Sequence, residues 1–121
     1  MGTRATVTVY NESDQPICSI YIMFDGYLNG VGKQLQEFLK THRYVNGIPL
    51  DATNVYNGME DLAAQLVWHL KEGKPGNVYL VPLEGEHDFT DYEYEIRFVD
   101  GDACLRELTQ KVVLYPEVKI E

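Results

Sequence analysis

The chain has 121 residues, 45% of them hydrophobic, and 19 acidic against 10 basic side chains give a formal charge of −9. That length suits one domain, residues 1–121, whose core stands without staples. The charge repels a nucleic-acid backbone and argues against DNA or RNA polymers as partners. No apolar run approaches a membrane-spanning length, so no membrane partner is expected.

The opening residues Met1-Gly2-Thr3-Arg4-Ala5 lack the apolar stretch of a secretion signal, which makes the cytoplasm the expected compartment. Thr6 completes a match to a myristoylation pattern, but an acidic chain without a basic patch makes that match fortuitous. Cys18 and Cys104 sit alone in strand-like runs and read as buried free thiols.

Arg4 to Tyr10 alternates Ala5, Val7 and Val9 with Thr6, Thr8 and Tyr10, the period of a half-buried strand. A polar turn, Asn11 to Pro16, leads into a second strand, Ile17 to Phe24, with Cys18, Ile20, Ile22 and Phe24 on one face. The resulting hairpin delivers Phe24 and Asp25 into the run FDGYLNGVGK, residues 24–33. Gly26, Gly30 and Gly32 let that backbone turn sharply and approach a ligand closely. A helix starting near Val31 aims its N–H groups and positive dipole end at the same space, where an anion fits. Asp25-Gly26 and Asn29-Gly30 read equally as ordinary turns. The run is no P-loop, because Gly-Val-Gly-Lys ends in Gln34.

Val31, Leu35, Phe38 and Leu39 fall at helical spacing, and Lys40, His42 and Arg43 suit the negative end of that helix. Tyr44 to Tyr56, with Asn46-Gly47, Pro49 and Asn54, reads as a long irregular connection over the site. The strongest helix signal follows. Asn57 serves as cap with Glu60 completing a capping box, Met59, Leu62, Ala63, Leu66, Val67 and Leu70 make one apolar stripe, and Gly73 with Pro75 ends it. Trp68 and His69 lie off the stripe.

Strands are predicted at Asn77 to Leu83, Tyr92 to Val99, Ala103 to Thr109 and Lys111 to Tyr115. Asp100-Gly101 marks a two-residue hairpin that pairs Val99 with Asp102, Arg97 with Cys104 and Glu95 with Arg106. Arg97 and Arg106 then share one face that could receive a phosphate, with a cross-strand Glu95–Arg106 pair as the alternative. This order of elements predicts an α+β fold, an antiparallel sheet with two helices packed on one face.

The sequence shows no catalytic set. His42, His69 and His87 lack metal-ligand spacing, Ser13 and Ser19 lack a nucleophile elbow, and the cysteines lack a Cys-x-x-Cys arrangement. Asp25 is placed to act as a base, although Asp before Gly is commoner as a turn former. The expectation is a binding protein with no catalytic, metal or cofactor site.

The runs YIMFDGYLNGVGKQLQEFL, NGMEDLAAQLVWHLK, GNVYLVPL and YEYEIRF, spanning Tyr21 to Phe98, resemble a family of small phage and prophage proteins. Within it the chain looks like the phage anti-Thoeris sponge type, proteins that sequester cyclic ADP-ribose signals made by bacterial TIR-domain enzymes. The resemblance implies a cyclic nucleotide partner held without cleavage, and a homo-oligomer, a dimer or a multiple of dimers, with pockets at subunit interfaces. Ile22 stands where the pattern carries a base. Together, the residues and the resemblance give an expected ligand set of Phe24, Asp25, Gly26, Tyr27, Gly30, Gly32, Lys33, Asn57, Arg97 and Arg106. In it Phe24 and Tyr27 bracket a base and the arginines take phosphate. The closing run VVLYPEVKI reads as an interface strand or as the last strand of the monomer's sheet. A second reading, from the charge and nine tyrosines, is an acidic module that inhibits a host defence protein directly.

Overall fold

The computed structural model describes residues 2–47, 52–83 and 90–116. His87 and the end of the VVLYPEVKI run, beyond Pro116, lie outside them. Alternation builds the first hairpin. Strand β1 (Ala5–Tyr10) pairs antiparallel with β2 (Pro16–Ile22), matching Ala5 with Ile22 and Val7 with Ile20. Ala5, Val7, Val9, Ile20 and Ile22 are buried on one face. In the turn, the Asn11 side-chain oxygen accepts the Ser13 and Gln15 N–H groups, each at 2.9 Å. The second strand stops at Ile22, short of the expected Phe24, which is 49% exposed and outside the strand.

Next come α1 (Lys33–Thr41), β3 (Arg43–Val45), β4 (Val55–Asn57), α2 (Met59–Lys71), β5 (Val78–Val81), β6 (Tyr92–Val99), β7 (Asp102–Glu107) and β8 (Val112–Tyr115). The fold is α+β, with a six-stranded sheet in the order β5-β2-β1-β6-β7-β8. Its sheet is mostly antiparallel, as expected, with one departure: β1 and β6 run parallel at its centre, Val7 beside Tyr94 and Val9 beside Ile96. The β6–β7 hairpin has the register read from Asp100-Gly101, including Arg97 beside Cys104 and Glu95 beside Arg106. Asp100 and Gly101 both take positive φ, 51° and 84°, as such a two-residue turn requires.

The segment expected to be irregular holds two three-residue strands, β3 and β4, paired parallel. Three residues are too few for an alternation to show in sequence. The cap of α2 also differs from expectation. Gly58, at φ 89°, occupies the cap position, and no side chain of its own serves it. Instead the Met59 N–H donates to Glu12 Oε2 at 3.2 Å, and the Asn57 N–H donates to Asp61 Oδ2 at 2.8 Å. Glu12 therefore ties the first hairpin to the second helix, and it also accepts the Tyr44 hydroxyl at 2.9 Å.

The predicted stripe of α2 is core: Met59, Leu62, Ala63, Leu66 and Leu70 are buried, and the helix packs on β1, β2 and β5. The chain leaves it through Glu72 and Gly73, both at positive φ. Leu35, Phe38 and Leu39 of α1 join the same core while the helix packs on β7 and β8. Burying a side chain the size of Leu66 removes enough apolar surface to be worth about 2 kcal/mol.

The opposite face of the sheet is polar yet partly buried. Thr8 and Ser19 hydroxyls lie 2.9 Å apart. Glu95, whose side chain is 8% exposed, meets Arg97 Nε at 3.0 Å and Arg106 at 3.7 Å. Arg97 also binds Asp14 at 2.5 Å and lies 3.7 Å over the Tyr10 ring. Thr6 Oγ1 is buried there without a hydrogen-bond partner among the described residues, an arrangement that costs about 1 to 3 kcal/mol.

Candidate functional site

The run from Phe24 to Lys33 forms a turn and a helix entry whose shape comes from its own contacts. Asp25 takes φ 61°, and Leu28–Gly32 coil as one π-helical turn before α1 begins at Lys33. The Gly30 N–H donates to the Tyr27 carbonyl at 2.9 Å, Val31 to the Asp25 carbonyl at 2.8 Å, and Gly32 to the Tyr27 carbonyl at 3.3 Å. Those three N–H groups, expected to face an anion, are spent inside the loop.

The three glycines answer to internal crowding. None of them has a positive φ. A Cβ on Gly26 would sit 2.7 Å from the Ala5 Cβ, one on Gly30 would overlap the Asp25 carbonyl, and one on Gly32 would come within 3.0 Å of the Tyr94 hydroxyl. Gly26 is further fixed by its N–H bond to the Thr3 carbonyl at 2.8 Å and by the Tyr94 hydroxyl, which donates to its carbonyl at 2.7 Å. The sheet thus holds the loop from beneath. Burial, and then the charge of Glu107 and the neighbouring Tyr92, push the Tyr94 phenol well above its ordinary pKa, keeping it a donor.

In front of this loop lies an open groove of about 490 Å³, lined by Asp25, Tyr27, Asn29, Gly30, Lys33, Gln34, Glu37 and His69. A second depression of about 440 Å³, lined by Gln34, Trp68, His69, Glu72 and Gly73, shares Gln34 and His69 with the first. Its two sides come from the exposed face of α1 and the end of α2. Tyr27 is 41% exposed and Trp68 is 79% exposed. The negative charge of Asp25, with the hydrogen bond from the Tyr27 hydroxyl to its Oδ1 at 3.3 Å, raises the Tyr27 pKa and keeps that hydroxyl protonated. His69 packs near Phe38 at 5.4 Å between ring centres, and Phe38 in turn stacks on His42 at 4.0 Å. Lys33 makes no ion pair among the described residues, unlike Arg97 and Arg106.

Of the ten expected ligand residues, the structure brings Asp25, Tyr27, Gly30 and Lys33 to the groove wall. Gly26 and Gly32 are buried behind it. Phe24 points elsewhere, to a separate shallow pocket with Gly2, Arg4, Met23 and Asp91. Asn57 lies at the end of β4, where its side-chain oxygen accepts the Gly47 N–H at 2.7 Å. Arg97 and Arg106 project from the sheet's polar face and are both engaged with Glu95; the Arg106 contact is the alternative reading of the register, and the Arg97 contact was not expected. Asn29, Gln34, Glu37, Trp68 and His69 were not among the ten. Part of their signal was present: Lys33 and Glu37 stand four residues apart on α1, Asn29 lies in the turn just before it, and Trp68 and His69 sit off the apolar stripe of α2.

Among the described residues no cluster of three His, Cys, Asp or Glu side chains is arranged to hold a metal ion, and no helix is long and apolar enough to cross a membrane. Comparison of the chain with protein-family models, with curated proteins and with solved structures finds no match.

Proposed function

We propose that the protein binds a small anionic cyclic nucleotide, of the cyclic ADP-ribose class, in the groove between α1 and the end of α2, and holds it without cleavage. The observation that supports this most is the placement of Lys33, which has no ion pair among the described residues, on a groove that also holds the exposed Tyr27, with the exposed Trp68 lining the adjoining depression. A nucleotide has a base to stack, worth about 1 to 3 kcal/mol per base on an aromatic face, and phosphates that seek a cation. Lys33 supplies that cation as a point charge, in place of the arginine fork expected from the sequence. The groove's size falls in the roughly 300–1,000 Å³ range of small-molecule sites. In this reading the protein is a phage anti-defence sponge acting in the cytoplasm of a bacterial host.

Self-association is part of the proposal. β5 is an edge strand of the sheet and carries Tyr79 and Leu80, the latter 65% exposed, a surface suited to a second copy.

The test is titration calorimetry with cyclic ADP-ribose isomers, followed by filtration, heat denaturation and identification of the released molecule. Intact ligand is expected, and Lys33→Ala should weaken binding about tenfold, equivalent to about 1.4 kcal/mol. Recovery of a cleaved product would replace the sponge with a hydrolase, and unchanged affinity in the variant would remove the groove. Co-purification of a host defence protein with no small molecule retained would favour direct inhibition instead.

A further inference from the structure

The parallel pairing of β1 and β6 does more than close the sheet. It sets Thr6 beside Glu93 and Thr8 beside Glu95, two hydroxyls against two carboxylates on the polar face. The end of β7 hooks back over them, because the Leu108 N–H donates to the Glu93 carbonyl at 2.7 Å. Between these residues and Tyr10 lies a cavity of about 160 Å³. It is too small for a nucleotide, being below the roughly 300 Å³ at which sites for larger ligands begin.

Its wall is unbalanced. Thr6 is 4% exposed and its hydroxyl has no partner among the described residues. The Glu93 carboxylate makes no ion pair among the described residues, while both nearby arginines are already committed to Glu95, and Arg97 to Asp14 as well. The cavity therefore offers oxygen acceptors and, in Glu93, a carboxylate outside ion-pair distance of any described cation, the nearby Arg97 and Arg106 being held on Glu95. An anion would find only the Thr6 hydroxyl free to donate and would face the Glu93 charge. A primary ammonium has three N–H donors, no acceptor and one positive charge, which is the complement of Glu93, the Glu95 rim and the Thr6 oxygen.

We propose that this cavity on the polar face of the sheet, built by Thr6, Thr8, Glu93 and Glu95, is a binding site for a small primary ammonium cation. It is separate from the groove of α1 and α2 and does not depend on what that groove binds.

The experiment is a titration of the full chain with ethylammonium chloride, followed by amide NMR at constant ionic strength set with sodium chloride. Saturable shifts are expected at Thr6, Thr8, Glu93 and Glu95. Glu93→Gln should raise the dissociation constant about tenfold. Thr6→Val, which keeps the shape and removes the hydroxyl, should weaken binding as well. Both variants are judged only with a dispersed, native-like spectrum. If Glu93→Gln unfolds, Glu93→Asp, which withdraws the charge by one methylene, takes its place and should weaken binding too. The absence of saturable shifts, shifts scattered over surface carboxylates, or unchanged affinity in the folded variants would overturn the site.

Discussion

Replacing Tyr94 with Phe removes one oxygen atom from the joint between the sheet and the groove loop. The hydroxyl is buried and donates to the Gly26 carbonyl at 2.7 Å, and the ring belongs to the core, so Tyr94→Phe leaves the packing and deletes the bond. Gly26 is itself buried, which leaves its carbonyl without that donor in a site poor in water. A buried acceptor stranded in this way costs about 1 to 3 kcal/mol, more than the net worth of an ordinary hydrogen bond. For a domain of this length 1 kcal/mol moves the unfolding midpoint by about 4 °C, so a loss of about 2 kcal/mol lowers it by about 8 °C. Thermal unfolding followed by circular dichroism measures it. A pH series adds a second signature. Because burial, with the charge of Glu107 behind it, raises the folded pKa above the ordinary 10.0, the unfolded chain ionises first as pH rises. The stabilisation is therefore complete below about pH 10 and is lost above it, and the gap between wild type and Tyr94→Phe should narrow there. Tyr56, raised in the same direction by burial and by Asp102, keeps some alkaline sensitivity in the variant. A midpoint within about 1 °C of wild type at neutral pH would show that the loop does not lean on this bond.

Glu12→Ala should destabilise the chain by about 0.5 to 2 kcal/mol in urea unfolding, the cost of losing a helix cap, even though Glu12 is far from α2 in sequence. Burial works against the Glu12 charge, but hydrogen bonds from Tyr44, its own backbone and Met59 outweigh it and hold the carboxyl below 4.5. Its contribution is thus present above that value and fades as pH falls through the lowered one, so the difference from the variant should shrink in acid. Arg97→Ala should leave cyclic nucleotide affinity unchanged by calorimetry. It should lower stability by about 1 to 2 kcal/mol, because the nearly buried Glu95 keeps only Arg106 at 3.7 Å.

Local signals were legible wherever a few neighbouring residues decide the geometry. Asp100-Gly101 needs two positive φ angles, and once the loop length is known every pair of the β6–β7 register follows. The stripe of α2 likewise declared its buried face. Pairings between distant segments leave no such trace: nothing in Ala5 to Tyr10 names Tyr92 to Val99 as a parallel neighbour. The site was legible in position and only partly in cause. Gly26, Gly30 and Gly32 mark crowding, but a sequence does not say whether the crowding atom belongs to a ligand or to Ala5, Asp25 and Tyr94. Asn57 and Glu60 had the spacing of a capping box, yet Gly58 turned the chain so that Glu12, from another hairpin, reached the helix first. Arg97 and Arg106 were placed on the right face and Glu95 was visible opposite Arg106, but Asp14, 83 residues from Arg97, was not, and the competition of these acids with a ligand is decided in three dimensions.

The central parallel pair has a consequence in time. Arg4 and Asp91, joined at the mouth of that pair, are 87 residues apart in the chain. During synthesis β1 and β2 emerge early, and β1 keeps one edge without its partner until β6 has left the ribosome. Closing so long a loop comes late and slows folding, as non-local pairings generally do. Until then the apolar residues of β1 are open to any passing strand, and the polar Thr6 and Thr8 on its other face are the part of that edge least inviting to one.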